Sequence, residues 1–317
     1  MRRIIFGFSL LSVTGLVACG AGADKGDGLS AQPGWDDPTA RRWTRAGEWY
    51  PEDPDALDEA VYGLLDEAGG SPKPARALLS PHAGLSYSGA VAAEAWARVE
   101  VPDTVIILSP HHWAEGADAA IWTEGPWLVP GYAVPIDQAL TDAVMAQIPD
   151  LVSDRAAFDH HEVEMLLPFL SRVNPDVEMV VIGLRDNQDW HFPDFDLTRI
   201  EEMGAALAEV IAEREEAGEE VLLILTTDLV HYVPREQADR EDPILLDHIA
   251  RLDAAGLYES VAEQELSICG EVPIAVGMSA LRALGATELE LLAYDTSDSR
   301  TGDTSSVVGY ASGRVLP

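Results

Sequence analysis

From about residue 41 onward, the hydrophobic positions of the chain fall into two alternating kinds of segment. Short, nearly continuous runs of valine, isoleucine and leucine are typical of strands that are buried on both faces of a sheet. The longer segments between them repeat apolar residues every three or four positions, which is the period of an amphipathic helix. Because the linkers are short, the pattern predicts a single α/β domain with a central mixed, largely parallel sheet flanked by helices on both faces.

The pattern divides this part of the chain into six strands and six helices, and no internal repeat interrupts their order. We expect strands at residues 75–80, 104–109, 177–184, 221–227, 289–295 and 305–311. We expect helices at residues 88–99, 137–146, 160–173, 197–215, 242–254 and 272–284.

The N-terminus has the pattern of an export signal. Arg2 and Arg3 precede an apolar run at residues 4–17, which is too short for a membrane span. The run ends in small residues directly before Cys19, as in bacterial lipoprotein signals. We therefore expect a signal peptide at residues 1–18 and a lipid on Cys19. The protein would be anchored to the bacterial cell membrane or outer membrane, facing the periplasm or the exterior; an ordinary signal peptide cut nearby is the alternative.

The segment after this signal separates it from the folded part of the chain. Residues 19–40 are rich in glycine, alanine and aspartate, which predicts a flexible tether before a domain at residues 41–317. The chain has two cysteines, and assigning Cys19 to the lipid leaves Cys269 without a disulfide partner. A lone thiol in an exported protein is expected to be buried or bound to another group.

The composition narrows the class of partner. Of the 317 residues, 47% are hydrophobic, which is enough for a large core. Acidic residues number 55 against 20 Lys and Arg, so the formal net charge is −35. Such a charge repels nucleic acid and anionic membrane surfaces, and we expect no nucleic-acid partner. A solvated acidic surface without a specific partner is the ordinary explanation of this charge.

Histidines follow the ends of several predicted strands. His82 follows the strand at 75–80, the pair His111 and His112 follows the strand at 104–109, and His231 follows the strand at 221–227. Ligands of open α/β sheets bind at the carboxyl ends of strands, so these loops are expected to converge on one pocket. Neutral imidazole is a common ligand of iron, copper and zinc. A single histidine of this kind is more often a capping or surface residue.

The loop that carries His82 has features that would orient its ring. Pro81 stops the strand and Gly84 permits a tight turn. Ser86 or Ser88 is expected to cap the helix that follows. The ring of His82 would then be directed across the edge of the sheet.

Two further segments have residue types that suit a metal site. Cys269 lies near the start of a predicted helix, a position that favours the thiolate form. A thiolate with two imidazoles would make a transition-metal site with open positions, although a buried structural cysteine is an equal alternative. His161 and Glu164 share one helix face and could orient metal ligands from behind. Helix capping or surface exposure explains the same residues without a metal.

Seven segments, taken in order, resemble motifs of the Memo family. Each motif alone is weak, and their common order along residues 41 to 315 is what makes the resemblance strong. The segments are residues 46–51 (AGEWYP), 81–89 (PHAGLSYSG), 109–112 (SPHH), 161–169 (HEVEMLLPF), 227–232 (TDLVHY), 268–274 (ICGEVPI) and 303–311 (DTSSVVGYA).

The resemblance implies a fold similar to that of class III extradiol dioxygenases, which carry non-haem iron. The corresponding Memo pocket holds two histidines and a cysteine, which match His82, His112 and Cys269 here. We expect these side chains to bind one iron(II) or copper ion per chain. His112 is preferred to His111 by counting from Pro110, and His111 would then support the ligands from behind.

The resemblance also assigns roles beside the metal. Asp228 and His231 match the family's acid and histidine, and a histidine in this place is the general base of the dioxygenases. Glu271 stands where the family often has a basic residue, which predicts a more negative pocket edge and cationic or neutral substrates. In prokaryotes the family is associated with a radical-SAM protein and an AMMECR-like protein in the AmmeMemoRadiSam system, of which this chain would be protein B.

Two functional hypotheses from different classes stay open. The first is a metal-dependent redox or dioxygenase-like enzyme, a non-haem iron or copper oxidoreductase, in which His231 moves protons and Asp228 orients it. The second is a non-catalytic binding or adaptor protein that uses the same pocket for a peptide, a small ligand or metal scavenging.

Overall fold

The computed structural model describes residues 34–111, 116–186 and 195–317. The predicted signal peptide at residues 1–18, the lipid site Cys19 and the candidate ligand His112 lie outside these ranges. Residues 34–40 pack on the domain, because the Arg155 guanidinium donates to the Thr39 carbonyl over 3.0 Å and Ala40 is buried. The last residues of the predicted tether therefore contact the domain. In the described part of the chain, no helix has the length and apolar character needed to cross a membrane.

The described residues contain eleven strands. Six correspond to the predicted ones, with boundaries moved by a few residues. The strands are β1 (Ala77–Ser80), β2 (Thr104–His111), β3 (Ala119–Ile121), β4 (Trp127–Val129), β5 (Tyr132–Val134), β6 (Val152–Ser153), β7 (Glu178–Arg185), β8 (Val221–Thr226), β9 (Asp228–Val233), β10 (Glu290–Thr296) and β11 (Val307–Val315).

Nine of these strands form one mixed sheet. Its order is β10-β11-β1-β8-β2-β7-β3-β6, with β9 also paired to β11, and β4 and β5 form a separate hairpin. The four central strands β1, β8, β2 and β7 are parallel, whereas β11 pairs antiparallel with β1, β9 and β10. The predicted central sheet, mixed and parallel in its middle, is confirmed.

Helices cover both faces of the sheet, as predicted. Consecutive strand residues belong to opposite cores: Leu78 and Ile107 pack with one set of helices, Leu79 and Ile106 with the other. One face is covered by α1, α2 and α4, and the other by α5, α6, α7 and α8. The helices are α1 (Pro54–Ala68), α2 (Leu85–Trp96), α3 (Gln138–Gln147), α4 (Glu162–Val173), α5 (Leu197–Glu216), α6 (Arg235–Ala250), α7 (Ala254–Gln264), α8 (Glu271–Ala283) and α9 (Asp298–Thr301).

Three local predictions near the site are wrong. Helix α2 begins at Leu85 and has no side-chain cap; the Ser88 hydroxyl lies in its first turn and donates to the Ala83 carbonyl. Asp228 and His231 do not lie in a loop after the sheet. They belong to strand β9, because the chain after β8 pairs with β11. Helix α6 starts at Arg235, seven residues before the predicted start, and contains Pro243 in its interior.

Candidate metal centre

A cavity of about 750 Å³ opens at the carboxyl ends of β1 and β8. Several of the predicted site residues line it, together with aromatic and acidic side chains from the segment before the first helix, from the helix after β1, from β9 and β11, and from the loop before β11. The lining includes His82, His161, Asp186, Asp228, His231, Cys269, Glu48, Trp49, Tyr87, Tyr232, Asp303 and Tyr310.

His82 is buried at the base of this cavity, two residues after β1. Its Nδ1 lies 2.8 Å from the Thr226 hydroxyl, and that hydroxyl donates its proton to the Ser80 carbonyl, also over 2.8 Å. Because the hydroxyl proton is already directed at Ser80, His82 Nδ1 must be the donor in the first contact. The proton therefore resides on Nδ1, and the lone pair resides on Nε2.

Cys269 lies directly opposite this lone pair. Its Sγ is 3.0 Å from His82 Nε2, so the thiol donates to the imidazole. The Cys269 amide donates to the Asp228 carbonyl over 3.0 Å, which ties the cysteine to β9. Gly270 follows with φ of 97°, and a Cβ there would lie 2.8 Å from the Thr226 carbonyl oxygen. Only glycine allows this close approach, which brings Sγ to the end of β8.

The predicted thiolate character of Cys269 is wrong for the metal-free protein. Burial, and then the charges of Asp186, Asp228 and Glu162, raise the pKa of the thiol well above its usual value. The positive end of α8 does not compensate, because Asp186 occupies it: its carboxylate accepts from the Gly270 amide (2.6 Å) and the Val272 amide (3.1 Å). Cys269 therefore carries its proton until a cation replaces it.

Asp228 supports the same loop. Its Oδ1 accepts from the His82 amide over 3.0 Å, and its Oδ2 lies 4.0 Å from His82 Nε2. Burial raises the pKa of this carboxyl to about 6, and His231 opposes the shift. The side chain thus positions His82 through the backbone and places a carboxylate oxygen near the imidazole and thiol.

His231 lines the cavity from β9. Its Nδ1 is 2.9 Å from the Ser267 carbonyl oxygen, and its amide donates to the Ser267 hydroxyl over 2.9 Å. A carbonyl oxygen can only accept, so Nδ1 carries the proton and Nε2 is the nitrogen able to take one. The pair of contacts to Ser267 gives His231 the tautomer that a general base needs.

Of the two adjacent histidines that were predicted to follow β2, the structure describes His111. His111 is the last residue of β2, is buried, and donates from Nε2 to the Ala117 carbonyl over 2.8 Å. Its ring lies 5.6 Å from that of His160, and it is not among the residues that line the cavity. Burial, and then Arg185, lower its pKa to about 4. Of the pair, His112 stays the candidate ligand, and it lies outside the described residues.

A comparison with known proteins settles the family. The model of the family described as "Memo-like protein" matches residues 41–314. The chain belongs to the Memo family. A MEMO1 family protein of Methanopyrus kandleri is 34% identical over 280 residues, covering 84% of this chain and 95% of the relative. One from Aquifex aeolicus is 32% identical over 267 residues, covering 84% and 95%.

Among solved structures, the Memo-family chain resembles an uncharacterized protein from Escherichia coli K12. The TM-score is 0.41 and the sequence identity 13%, with 74% of this chain and 98% of that chain covered.

The Memo motif at the start of α4 contains His161 and Glu164, whose side chains lie in different surroundings. His161 precedes α4 and lines the cavity, with its ring centroid 4.4 Å from that of Trp49 and 6.2 Å from that of His82. Glu164 is turned away: its carboxylate pairs with Arg41 over 2.9 Å and accepts further hydrogen bonds from residues 44, 45 and 50. Glu164 therefore fastens the N-terminal segment and does not contact the candidate ligands.

Glu271 does not form the cavity edge that its place in the Memo motif predicted. It lies in the first turn of α8, is buried, and is not among the lining residues. Burial, and then Asp186, raise the pKa of its carboxyl to about 8. The negative charge of the cavity comes instead from Glu48, Asp303 and Asp228.

Sequence reasoning missed the residues that orient the ligands in this Memo-family site. Thr226 and Ser267 set the tautomers of His82 and His231, and Asp186 occupies the start of α8. Asp186 follows β7 directly, so the signal used for the histidines, a polar residue after a buried strand, also applies to it. Thr226 ends an apolar strand and Ser267 lies in a loop, and neither has a comparable signal.

Three side chains of the cavity have donor atoms that suit a transition metal. His82 Nε2, Cys269 Sγ and Asp228 Oδ2 offer nitrogen, sulfur and oxygen donors within one buried corner of the cavity. Across residues 34–111, 116–186 and 195–317, no three His, Cys, Asp or Glu side chains already surround one point as metal ligands. The remaining ligand predicted for this corner, His112, lies outside those ranges.

Proposed function

We propose that this Memo-family protein binds one redox-active transition-metal ion, iron(II) or copper, through His82, Cys269 and His112, and that it is a metal-dependent oxidoreductase. One observation carries the proposal: the Nε2 lone pair of His82 faces Cys269 Sγ over 3.0 Å, while Nδ1 is held by Thr226. Metal-ligating histidines characteristically donate their other ring N–H to an oxygen acceptor, which fixes the tautomer.

The protonated thiol of Cys269 is consistent with such a site. Burial and three nearby carboxyl groups disfavour the thiolate. The same acidic surroundings would stabilise a positive charge at this place in the pocket. A cation bound there would reverse this, because a coordinating thiol loses its proton. Sulfur and imidazole together favour copper(I) or iron(II) over magnesium.

His231 is the residue proposed to move protons in the reaction. Its Nδ1 contact to Ser267 leaves Nε2 as the acceptor, and the residue lines the same cavity as His82 and Cys269. A redox-active metal would supply electron transfer in the reaction. The protein's own contribution is to hold the ligands, bind the substrate and accept a proton at His231 Nε2.

Metal analysis of anaerobically purified protein tests the proposal. We expect about one iron or copper ion per chain, and the loss of most of it in Cys269→Ala and His82→Ala. His248→Ala is the matched control, since His248 lies on α6 and contacts Asp253 and Ser260 instead. A folded wild-type protein that neither carries nor takes up iron or copper would refute the metal site.

A binding protein without turnover is the second candidate, and the exposed aromatic rim of the cavity favours it. Tyr232 and Tyr87 are 79% and 47% exposed, which suits capture of a peptide or small ligand. His231→Ala decides between the two. Loss of a measurable reaction with unchanged ligand affinity supports the enzyme, whereas a change in affinity alone supports the binding protein.

The proposed surroundings of the protein follow from its N-terminus and its family. We propose that Cys19 carries a lipid anchor and that the site faces the periplasm or exterior of a bacterial cell. AMMECR-like and radical-SAM proteins are the proposed partners within the AmmeMemoRadiSam system.

A further inference from the structure

We propose that the outer part of the cavity recognises a small organic cation, an ammonium group with apolar substituents, and that this is the substrate class of the site. The assignment as a substrate rests on the proposed function, while the binding itself can be measured without it. The proposal stands on the aromatic rim, the charge of the lining, and the continuity between the rim and His82.

Aromatic rings line the cavity, from the exposed Tyr232 and Tyr87 to the buried Tyr310. Trp49, Tyr87, Tyr232 and Tyr310 all line it, and they come from four separate segments of the chain. A single exposed aromatic side chain is ordinary on a protein surface, but a group directed at one cavity is characteristic of a binding site. Aromatic faces attract organic cations, with about 0.5–2 kcal/mol per contact, and rings arranged as a cage recognise alkylammonium groups.

The backbone of Tyr232 supports a recognition role for this ring. Its φ is 57°, a left-handed conformation that is unfavourable for a bulky residue, and its side chain is 79% exposed. Core packing therefore does not explain the conformation. The pairing of β9 with β11 is irregular here, with register shifts on both sides of Val308, and bulges of this kind redirect side chains beside functional sites. The result is an exposed ring that lines the cavity.

The charge of the lining selects the sign of the ligand. Glu48, Asp186, Asp228 and Asp303 line the cavity, and none of the described lining residues is Lys or Arg. Hydrogen bonds from Ser305 hold the pKa of the exposed Asp303 carboxyl below its usual value, so this group is anionic at neutral pH. A concave surface lined by one sign of charge concentrates its field and attracts the opposite charge.

Two arginines lie near the mouth but do not line the cavity. The Arg45 guanidinium lies over the Trp49 ring, 5.1 Å from its centroid. Arg300 lines a separate groove beside Glu48 and Trp49. The cavity itself therefore keeps an acidic and aromatic lining.

The rim continues to the proposed metal ligands. Trp49 contacts His161 with ring centroids 4.4 Å apart, and His161 is 6.2 Å from His82 by the same measure. Tyr232 adjoins His231, with centroids 5.8 Å apart. A cation held by the rim would therefore direct the remainder of the molecule toward His82, Cys269 and His231.

Two sets of matched probes test the charge preference in metal-free purified protein by calorimetry. The first set is choline, 3,3-dimethylbutan-1-ol and 3,3-dimethylbutyrate, which share a branched head and differ in charge. The second is 2-phenylethylamine, 2-phenylethanol and 3-phenylpropionate. We expect the cation of at least one set to bind tenfold or more tightly than its neutral analogue, with the anion weakest.

Variants separate the cavity from the general negative charge of the protein. Tyr232→Leu and Asp303→Asn are each expected to weaken cation binding about three- to tenfold without changing binding of the neutral analogue. Tyr62→Leu and Glu263→Gln are the controls, because both residues are exposed and neither lines the cavity. These controls should bind the cation as the wild type does.

The proposal is overturned if no cation binds more tightly than its neutral analogue in either set, if an anion binds best, or if the control variants weaken binding as much as the cavity variants. Metal analysis is scored separately. Charge-selective binding in a protein that takes up no metal would refute the proposed function and leave the cation site standing. Metal uptake without charge-selective binding would refute the cation site and leave the proposed metal site standing.

Discussion

Two buried glutamates on the first turn of α4 should respond in opposite ways to the same substitution. Glu162 and Glu164 are both fully enclosed by protein, at 2% and 0% relative exposure. Glu164 is paired with the permanently charged Arg41. Glu162 lies near two histidine rings, 3.8 Å from His160 Nδ1 and 3.6 Å from His161 Nδ1, and burial favours its neutral form. Glu164→Gln and Glu162→Gln therefore compare a carboxylate paired with a guanidinium and a carboxyl group whose burial outweighs its neighbours.

Glu164→Gln is expected to be strongly destabilising. The carboxylate accepts from Arg41 Nη1 (2.9 Å), the Thr44 amide and hydroxyl (2.9 Å each), the Arg45 amide (2.7 Å) and the Tyr50 hydroxyl (2.8 Å). A glutamine amide offers one oxygen, so some of these donors would face its NH₂ group. Breaking a buried pair and leaving the Arg41 charge in place costs about 3–5 kcal/mol.

Glu162→Gln is expected to be neutral or stabilising. Burial is the largest cause that raises the pKa of its carboxyl from 4.5 to about 8, so the folded protein keeps it protonated at pH 7. A carboxyl group whose pKa is higher in the folded than in the unfolded protein stabilises the fold at pH values below its unfolded pKa. This stabilisation is lost as the pH rises through the folded pKa. The wild type should therefore lose up to roughly 5 kcal/mol between pH 4.5 and 8 through this group, a loss that the glutamine variant escapes.

Urea unfolding followed by tryptophan fluorescence at pH 5, 7 and 8 measures both effects. We expect Glu164→Gln to lower the free energy of unfolding at every pH, and the difference between Glu162→Gln and wild type to grow with pH. Equal costs for the two variants at pH 7, or a cost below about 1 kcal/mol for Glu164→Gln, would refute this reasoning.

Three further predictions concern the metal centre, the backbone and the anchor. Thr226→Val should weaken metal binding about 10- to 100-fold by releasing the tautomer of His82, and Thr226→Ser should restore it; equal affinities by competition with a chelator would contradict this. Gly270→Ala should destabilise by more than about 1 kcal/mol, because a Cβ would lie 2.8 Å from a carbonyl oxygen at φ of 97°, whereas Gly285→Ala, at φ of 89° with open space, isolates the cost of φ alone. Mass spectrometry of the mature chain from the membrane fraction should show an N-terminal Cys19 that carries the added mass of a lipid, and a mature N-terminus without this mass would exclude the lipid anchor.

The structure confirms the predicted sheet, and the prediction succeeded because the same apolar pattern recurs in several segments of the chain. Most of the six predicted strands are nearly continuous apolar runs, and the predicted helices repeat apolar residues every three or four positions. The strands missed in the prediction include β3 and β6, which are only three and two residues long and too short to show a period. Strand β9 was missed because it contains polar residues that its pairing with β11, distant in sequence, draws into the sheet.

The residue types of the candidate site were visible in the sequence, but their chemical states were not. Cys269 near a helix start predicted a thiolate. The structure raises the pKa of its thiol because the thiol is buried, and because Asp186, 83 residues earlier in the chain, occupies that helix end. Glu271 looked like a cavity edge in the motif, yet it faces the protein interior. In both cases the prediction was wrong because the surroundings of the ionisable side chain come from segments that are distant in the sequence.

The sequence by itself determined the alternation of strands and helices, the family, and the segments that carry His82, His231 and Cys269. These features follow from local periodicity and from residues close together in the chain. Only the tertiary structure decided which nitrogen of each histidine is protonated, which carboxylates are paired, and that aromatic rings meet at one cavity. Such properties depend on burial and on contacts between distant segments, and a linear pattern contains neither.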